Sequence, residues 1–290
     1  MIRKLLSVKK ITAAVMASAI LVTGLWNPVS ADAASKSKKV AYRTYTAVDL
    51  EGKSKKVGSR YIGFDGLNYT VKLSAKKEAK TFGPTTAGSQ ISTNGVYAFY
   101  QNGEDKIVRT TLSTDKSVTI LKDVSGEVTH VYGSSLFYQT SDEDGKTALT
   151  CYNTKKKTSK VINKDVDVKN ISVAGKYMFY GYANKNKLVV RDCAKGKNTL
   201  VSLDKTSHVK TNGIEAIYFA YNEELETYEV TSYNIAKKEN KVLTSVATFD
   251  TAAISDNLKT VVYQANGKYY KYDVKSGKTK VIKEAEYLKY

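Results

Sequence analysis

Two histidines, His130 and His208, are the only side chains of this 290-residue chain whose ordinary pKa lies near neutrality. Proton-transfer chemistry would have to run through them or through carboxylates shifted by their surroundings. Neither is accompanied by a Gly-x-Ser-x-Gly turn that would present a nucleophile. No carboxylate-plus-histidine spacing suits zinc, so both read as packed or solvated residues. A glycine-rich phosphate loop of the P-loop type is absent. Paired carboxylates, which cleave glycosidic bonds, would have to come from Glu127, Asp250 or Glu215, a thin set. The reading leans to a non-enzymatic protein with no cofactor and no metal. A glycan-active enzyme whose carboxylates the sequence does not reveal stands as the alternative.

The segment Ser141-Asp142-Glu143-Asp144-Gly145-Lys146-Thr147 resembles the Asp-box of sialidase-type propellers, Ser-x-Asp-x-Gly-x-Thr-Trp, with Glu143 replacing the aspartate and Ala148 the tryptophan. It occurs once and offers few oxygen ligands, so it reads as a polar hairpin loop and not as a calcium site. Two cysteines, Cys151 and Cys193, are too few for a disulfide-dense scaffold. On neighbouring sheets they would face one another across ~10 Å, beyond the ~7 Å between Cα atoms that a disulfide spans, so two buried thiols are expected.

Lysine carries the strongest pattern. The runs are Lys155, Lys156, Lys157 and Lys160; Lys195 and Lys197; Lys237, Lys238 and Lys241; and Lys275, Lys278 and Lys280. Acidic residues gather elsewhere: Glu104 and Asp105; Asp142, Glu143 and Asp144; Glu223, Glu224 and Glu226; then Asp123, Glu127, Asp165, Asp167, Asp204 and Asp250. The arginines are Arg3, Arg43, Arg60, Arg109 and Arg191, so nearly all the positive charge is lysine. A lysine is a point charge without arginine's bidentate fork, which argues against sequence-specific nucleic-acid binding and for a polyanion held by many weak contacts. Plain solvation of turns would produce the same lysine-rich surface.

The elements that must position these residues are strands. Short runs of Val, Ile, Tyr, Phe and Thr alternate with Gly, Asn, Asp and Lys turns, an all-β pattern. Aromatic pairs recur at Phe99-Tyr100, Phe137-Tyr138, Phe179-Tyr180 and Tyr218-Phe219, with Val262-Tyr263 in the last copy, at spacings of 38, 42, 39 and 44 residues. A period near ~41 residues with four strands per copy is the anatomy of a β-propeller blade. About six four-stranded antiparallel blades fit the chain, with five or seven as neighbouring counts and two stacked β-domains as the alternative. Tyr272-Asp273, a short turn, Gly277-Lys278 and the apolar strand Val281-Ile282 resemble the aromatic-Asp hairpin of WD-repeat and TolB-like bacterial propellers. Tyr152-Asn153 and Tyr233-Asn234 are weaker copies, and the Gly-His dipeptide of WD repeats is missing. The resemblance covers roughly residues 92–285 and implies an interaction platform.

In a meandering blade, third-to-fourth strand turns emerge on one face, and second-to-third turns with inter-blade connections on the other. The lysine runs fall in the first class and the acidic residues in the second, which predicts a lysine-rich face opposite a more acidic one. A third function, a protein-interaction platform using the acidic face, follows from the same sorting.

Residues 1–33 read as a secretory signal: Arg3, Lys4, Lys9 and Lys10, an uncharged run from Ile11 to Trp26, then Ala31-x-Ala33 with cleavage expected after Ala33. No cysteine follows for a lipid anchor, and no transmembrane anchor is expected after cleavage. The formal charge falls from +18 to +15, so the basicity belongs to the mature protein. Trp26, the only tryptophan, is lost, which weakens sugar stacking except through tyrosine. The expected organisation is a signal peptide (1–33), a segment joining strands to ring closure (34–57), which Glu286–Tyr290 would complete as a terminal blade, and a propeller (58–290). The expected product is a secreted or loosely wall-associated monomer that binds an anionic cell-envelope polymer or a protein partner.

Overall fold

The computed structural model describes residues 41–50, 52–83, 89–103, 105–124 and 126–290. The segment expected to be a signal, with its expected cleavage point at Ala33, lies outside the described residues, as do Pro84 and Glu104. Six four-stranded antiparallel meanders form a six-bladed β-propeller. Blade 1 comprises Lys55–Val57, Arg60–Phe64, Tyr69–Lys72 and Lys80–Phe82. Blade 2 comprises Gln90–Thr93, Tyr97–Asn102, Lys106–Thr111 and Lys116–Leu121, and blade 3 Glu127–Tyr132, Ser135–Ser141, Thr147–Asn153 and Thr158–Asn163. Blade 4 follows with Val166–Ala174, Tyr177–Tyr182, Lys185–Asp192 and Lys197–Ser202. Blade 5 has Lys205–Thr211, Glu215–Asn222, Thr227–Asn234 and Glu239–Val246, and blade 6 Thr251–Ile254, Thr260–Ala265, Lys268–Asp273 and Lys278–Ile282.

First strands of adjacent blades pack on one another, while fourth strands expose most of their residues, so each blade runs from axis to rim. Buried clusters sit between neighbours, one at each junction from blades 1 and 2 to blades 5 and 6. The ladders align the repeats and correct one sequence assignment. Glu215↔Asn234 is the counterpart of Tyr177↔Asp192 and Ser135↔Asn153, so the blade 5 equivalent of Phe179-Tyr180 is Ile217-Tyr218, not Tyr218-Phe219. The shared tyrosine reaches outward across its blade: the Tyr218 hydroxyl donates to Asn240 Oδ1 at 3.0 Å, and the Tyr180 hydroxyl accepts from Asn198 Nδ2 at 2.8 Å.

The third-to-fourth turns explain the Asp/Asn-to-Gly spacing. Asn153 Oδ1 accepts from the backbone of Lys155 and Lys156 at 3.0 and 2.8 Å, and Asp192 Oδ1 from Ala194 and Lys195 at 3.0 and 3.1 Å. Four residues on, each turn needs a left-handed residue before the fourth strand begins, which Gly196 and Gly277 supply at φ 67° and Lys157 and Lys238 at φ 56° and 60°.

Ring closure differs from the expectation that residues 40–57 and Glu286–Tyr290 complete one terminal blade. Lys55–Val57 is the first strand of blade 1, so the propeller begins there and not at residue 58. Strand β1 (Arg43–Thr46) instead joins the inner edge of blade 2, antiparallel, from Arg43↔Thr93 to Thr46↔Gln90. Glu284–Tyr287 is one helical turn, α1, packed on the third strand of blade 6. The reason is one of supply: blades 1 and 6 each obtain four strands from contiguous chain, and the unsatisfied edge was at the axis. There the Thr44 hydroxyl donates to the Thr129 carbonyl of blade 3, and the Tyr69 hydroxyl donates to the Tyr45 carbonyl at 3.1 Å. Asp256 of blade 6 binds Lys55 of blade 1 at 2.9 Å and Lys210 of blade 5 at 2.8 Å, joining the two ends of the ring.

Candidate functional site

Two families of backbone hydrogen bonds fix which turns share a face. Leu112, Thr154, Cys193, Ile235 and Val274 each donate from a third-to-fourth turn to a carbonyl of the same blade's first-to-second turn, at 2.8–3.1 Å. Val124 to Asp105, Ala183 to Asp165 and Asp250 to Gln264 tie inter-blade connections to the second-to-third turns or their flanking strands, at 2.8–3.1 Å. Twelve lysines were singled out from the sequence, and all are exposed. Lys155, Lys156, Lys157, Lys195, Lys237, Lys238 and Lys275 stand in the turns of one face. Lys160, Lys197, Lys241, Lys278 and Lys280 instead lie on fourth strands, because the tight turn ends earlier than sequence spacing suggests. Those five guard open rim edges, where a lysine opposes strand addition by another chain. Asp142, Glu143, Asp144, Glu223, Glu224 and Glu226 occupy turns of the opposite face.

The axis is occupied by β1, with Tyr45 buried and the Lys55 ammonium 5.7 Å from its ring centre. Burial works to raise the Asp256 pKa, but the Lys210 and Lys55 ammoniums overcome it and hold the carboxyl down to about 2. Sequence reasoning missed this triad, since Lys55 and Asp256 are 201 residues apart and carry no local signal. Glu127 begins the first strand of blade 3, and burial raises its carboxyl pKa. Asp250 lies in the connection before blade 6 and Glu215 at the start of a second strand, so the three carboxylates considered for hydrolysis sit in three different blade contexts.

His130 is fully buried in blade 3, stacked on Phe137 at 6.4 Å, with Nε2 donating to the Gly175 carbonyl at 2.9 Å. Burial pushes its pKa down to about 4, against that hydrogen bond. It packs a junction between blades. His208 lies inside the first strand of blade 5, at a break in the ladder. The Asp-box-like loop closes on itself, with Asp142 Oδ1 accepting the Lys146 N–H at 2.8 Å. Among the described residues, no three His, Cys, Asp or Glu side chains gather as a metal site. Cys151 and Cys193 are free thiols in the cluster joining blades 3 and 4, and burial pushes Cys193 up to about 12.

No family model matches the chain, and no curated protein matches it. Solved structures do. Oligogalacturonate lyase from Vibrio parahaemolyticus aligns at 14% identity and TM-score 0.54, over 83% of this chain and 78% of that one. TolB from Acinetobacter baumannii aligns at 12% and 0.39 over 83% and 68%, and the WD40 domain of SCAP from fission yeast at 8% and 0.42 over 81% and 77%. At 14% identity the likeness to the oligogalacturonate lyase structure extends to the fold alone.

Proposed function

We propose that this protein is a secreted, non-enzymatic β-propeller that docks on an anionic cell-envelope polymer through its lysine-rich face. The observation that carries the reading is the placement of seven exposed lysines in the turns of one face, with Glu and Asp turns on the other. Each lysine brought against an anionic surface contributes up to about 1 kcal/mol, so several acting together give useful affinity that salt erodes. The axial position, where a converging active site would draw on all six blades, is taken by β1. The signal pattern of residues 1–33 supports secretion, which would bring the propeller to the polymer outside the cell.

Cosedimentation with purified cell-wall sacculi, with and without their anionic polymer, tests the reading. Retention should fall steeply as salt rises and should vanish when Lys155, Lys156, Lys157, Lys237 and Lys238 are changed together to Gln. Equal retention of that variant, or of wild type on stripped sacculi, would sink it.

A further inference from the structure

The innermost strands of blades 4 and 5 share a defect on the side away from the lysine turns. Blade 4 leaves its ladder between Asp167 and Ile171, and blade 5 between Ser207 and Lys210. His208 sits in the second break with φ 54°, a left-handed conformation that costs a non-glycine residue about 1–2 kcal/mol. Bulges of this kind re-aim side chains, and such strain persists only where its surroundings enforce it.

Here the enforcement is visible. Asn170, 2% exposed, donates through Nδ2 to the Thr206 carbonyl at 3.1 Å and to Thr206 Oγ1 at 2.9 Å, and its Oδ1 accepts the Val209 N–H at 3.3 Å. Gly181 on the next strand leaves the room, since a Cβ there would stand 2.6 Å from Asn170 Nδ2. Three strands therefore cooperate to turn one imidazole outward.

The exposed His208 ring lies edge-on to Phe219 at 5.7 Å and to Phe249 at 5.5 Å. From Phe249 the aromatic contact continues to Tyr228 at 4.7 Å and on to Tyr221 at 5.0 Å, all three half-buried. His208 Nδ1 hydrogen-bonds Ser207 Oγ at 3.0 Å, and Asp167, near the start of the first strand of blade 4, caps the Lys169 N–H through its carboxylate at 3.0 Å. An aromatic strip thus spans the first three strands of blade 5 and the connection that follows its fourth, with the imidazole on the innermost strand.

We infer that this strip binds uncharged carbohydrate, a pyranose stacking on Tyr228 and Phe249 while its hydroxyls hydrogen-bond His208. A sugar presents an apolar C–H face and a polar rim, which matches aromatic surface flanked by hydrogen-bonding groups. Asp167, Asp204, Asp250, Glu223 and Glu224 on this face repel anionic sugars and the polyanion assigned to the other face. The two faces take ligands of different charge.

The test is a titration of the full chain with a panel of neutral hexose and N-acetylhexosamine oligosaccharides, read by saturation-transfer NMR and calorimetry at about 0.05 M and about 0.5 M salt. Binding of at least one neutral oligosaccharide is expected, insensitive to salt, and weakened about tenfold or more by Tyr228→Ala and by His208→Asn. Asparagine tolerates the left-handed backbone, so His208→Asn keeps the bulge while removing the imidazole, and an unchanged melting temperature verifies this. The Lys-to-Gln variant of the opposite face should bind the sugar as wild type does, which separates this site from polymer docking. The inference falls if no neutral oligosaccharide binds or if both aromatic-strip variants bind like wild type.

Discussion

Asp256→Asn removes the charge that joins the ends of the ring while keeping the side chain's size. The carboxyl is held at about 2 in place of its ordinary 3.8. That difference corresponds to about 2.5 kcal/mol of stabilisation, since one pKa unit is worth about 1.4 kcal/mol. The carboxylate is 62% exposed, and solvent screening at such a site reduces the figure to about 1 kcal/mol. A folded-state pKa below the unfolded one means the contribution is present above pH ~4 and disappears as pH falls towards ~2. Urea unfolding of wild type and variant should therefore show wild type ahead by about 1 kcal/mol at pH 7, with the gap closing across that window and shrinking in high salt. A gap that is absent at pH 7, or constant from pH 5 to pH 2, would refute an electrostatic role in closure.

Other outcomes follow from single sites. Burial holds His130 at about 4, so wild type should lose about 3 kcal/mol as pH falls from ~6.5 to ~4, a loss absent from His130→Leu in pH-dependent urea unfolding. That window lies above the Asp256 window, so the two effects separate in one titration. Lys157→Gly and Lys238→Gly should each raise stability by about 0.5–1 kcal/mol in denaturant melts by relieving a left-handed side chain, and Gly277→Lys should lower it by a similar amount. Gly181→Ala should cost about 2 kcal/mol by displacing Asn170, measured as an unfolding midpoint, whereas Gly145→Ala, with open space around it, should suffer only its backbone strain.

Much of the fold was legible because each blade repeats local chemistry. Asn153, Asp192, Asn234 and Asp273 terminate third strands through their own side-chain oxygens, and Phe137, Phe179 and their counterparts fill the same inter-blade layer. Such signals survive without knowledge of the partner strand. Registration by aromatic pairs failed in blade 5 because Tyr218 has an aromatic on its C-terminal side, Phe219, and an aliphatic, Ile217, on its N-terminal side. Both read as strand, and only the ladder distinguishes them.

What sequence could not supply was anything set across the ring. Arg43–Thr46 has the composition of any short strand, and nothing in it indicates that its partner is Gln90–Thr93. Lys55, Lys210 and Asp256 look like ordinary surface charges until closure brings them within 3 Å. The break at His208 likewise depends on a residue one blade earlier, since Asn170 Oδ1 accepts the Val209 N–H across the blades. The lysines carry the converse lesson, since their spacing was local and their face was legible, yet five of the twelve proved to be rim-edge residues. Polymer docking should therefore depend on Lys155, Lys156, Lys157, Lys195, Lys237, Lys238 and Lys275. Replacing the five rim lysines by Gln should leave docking largely intact and instead promote association of the protein with itself through its uncovered strand edges.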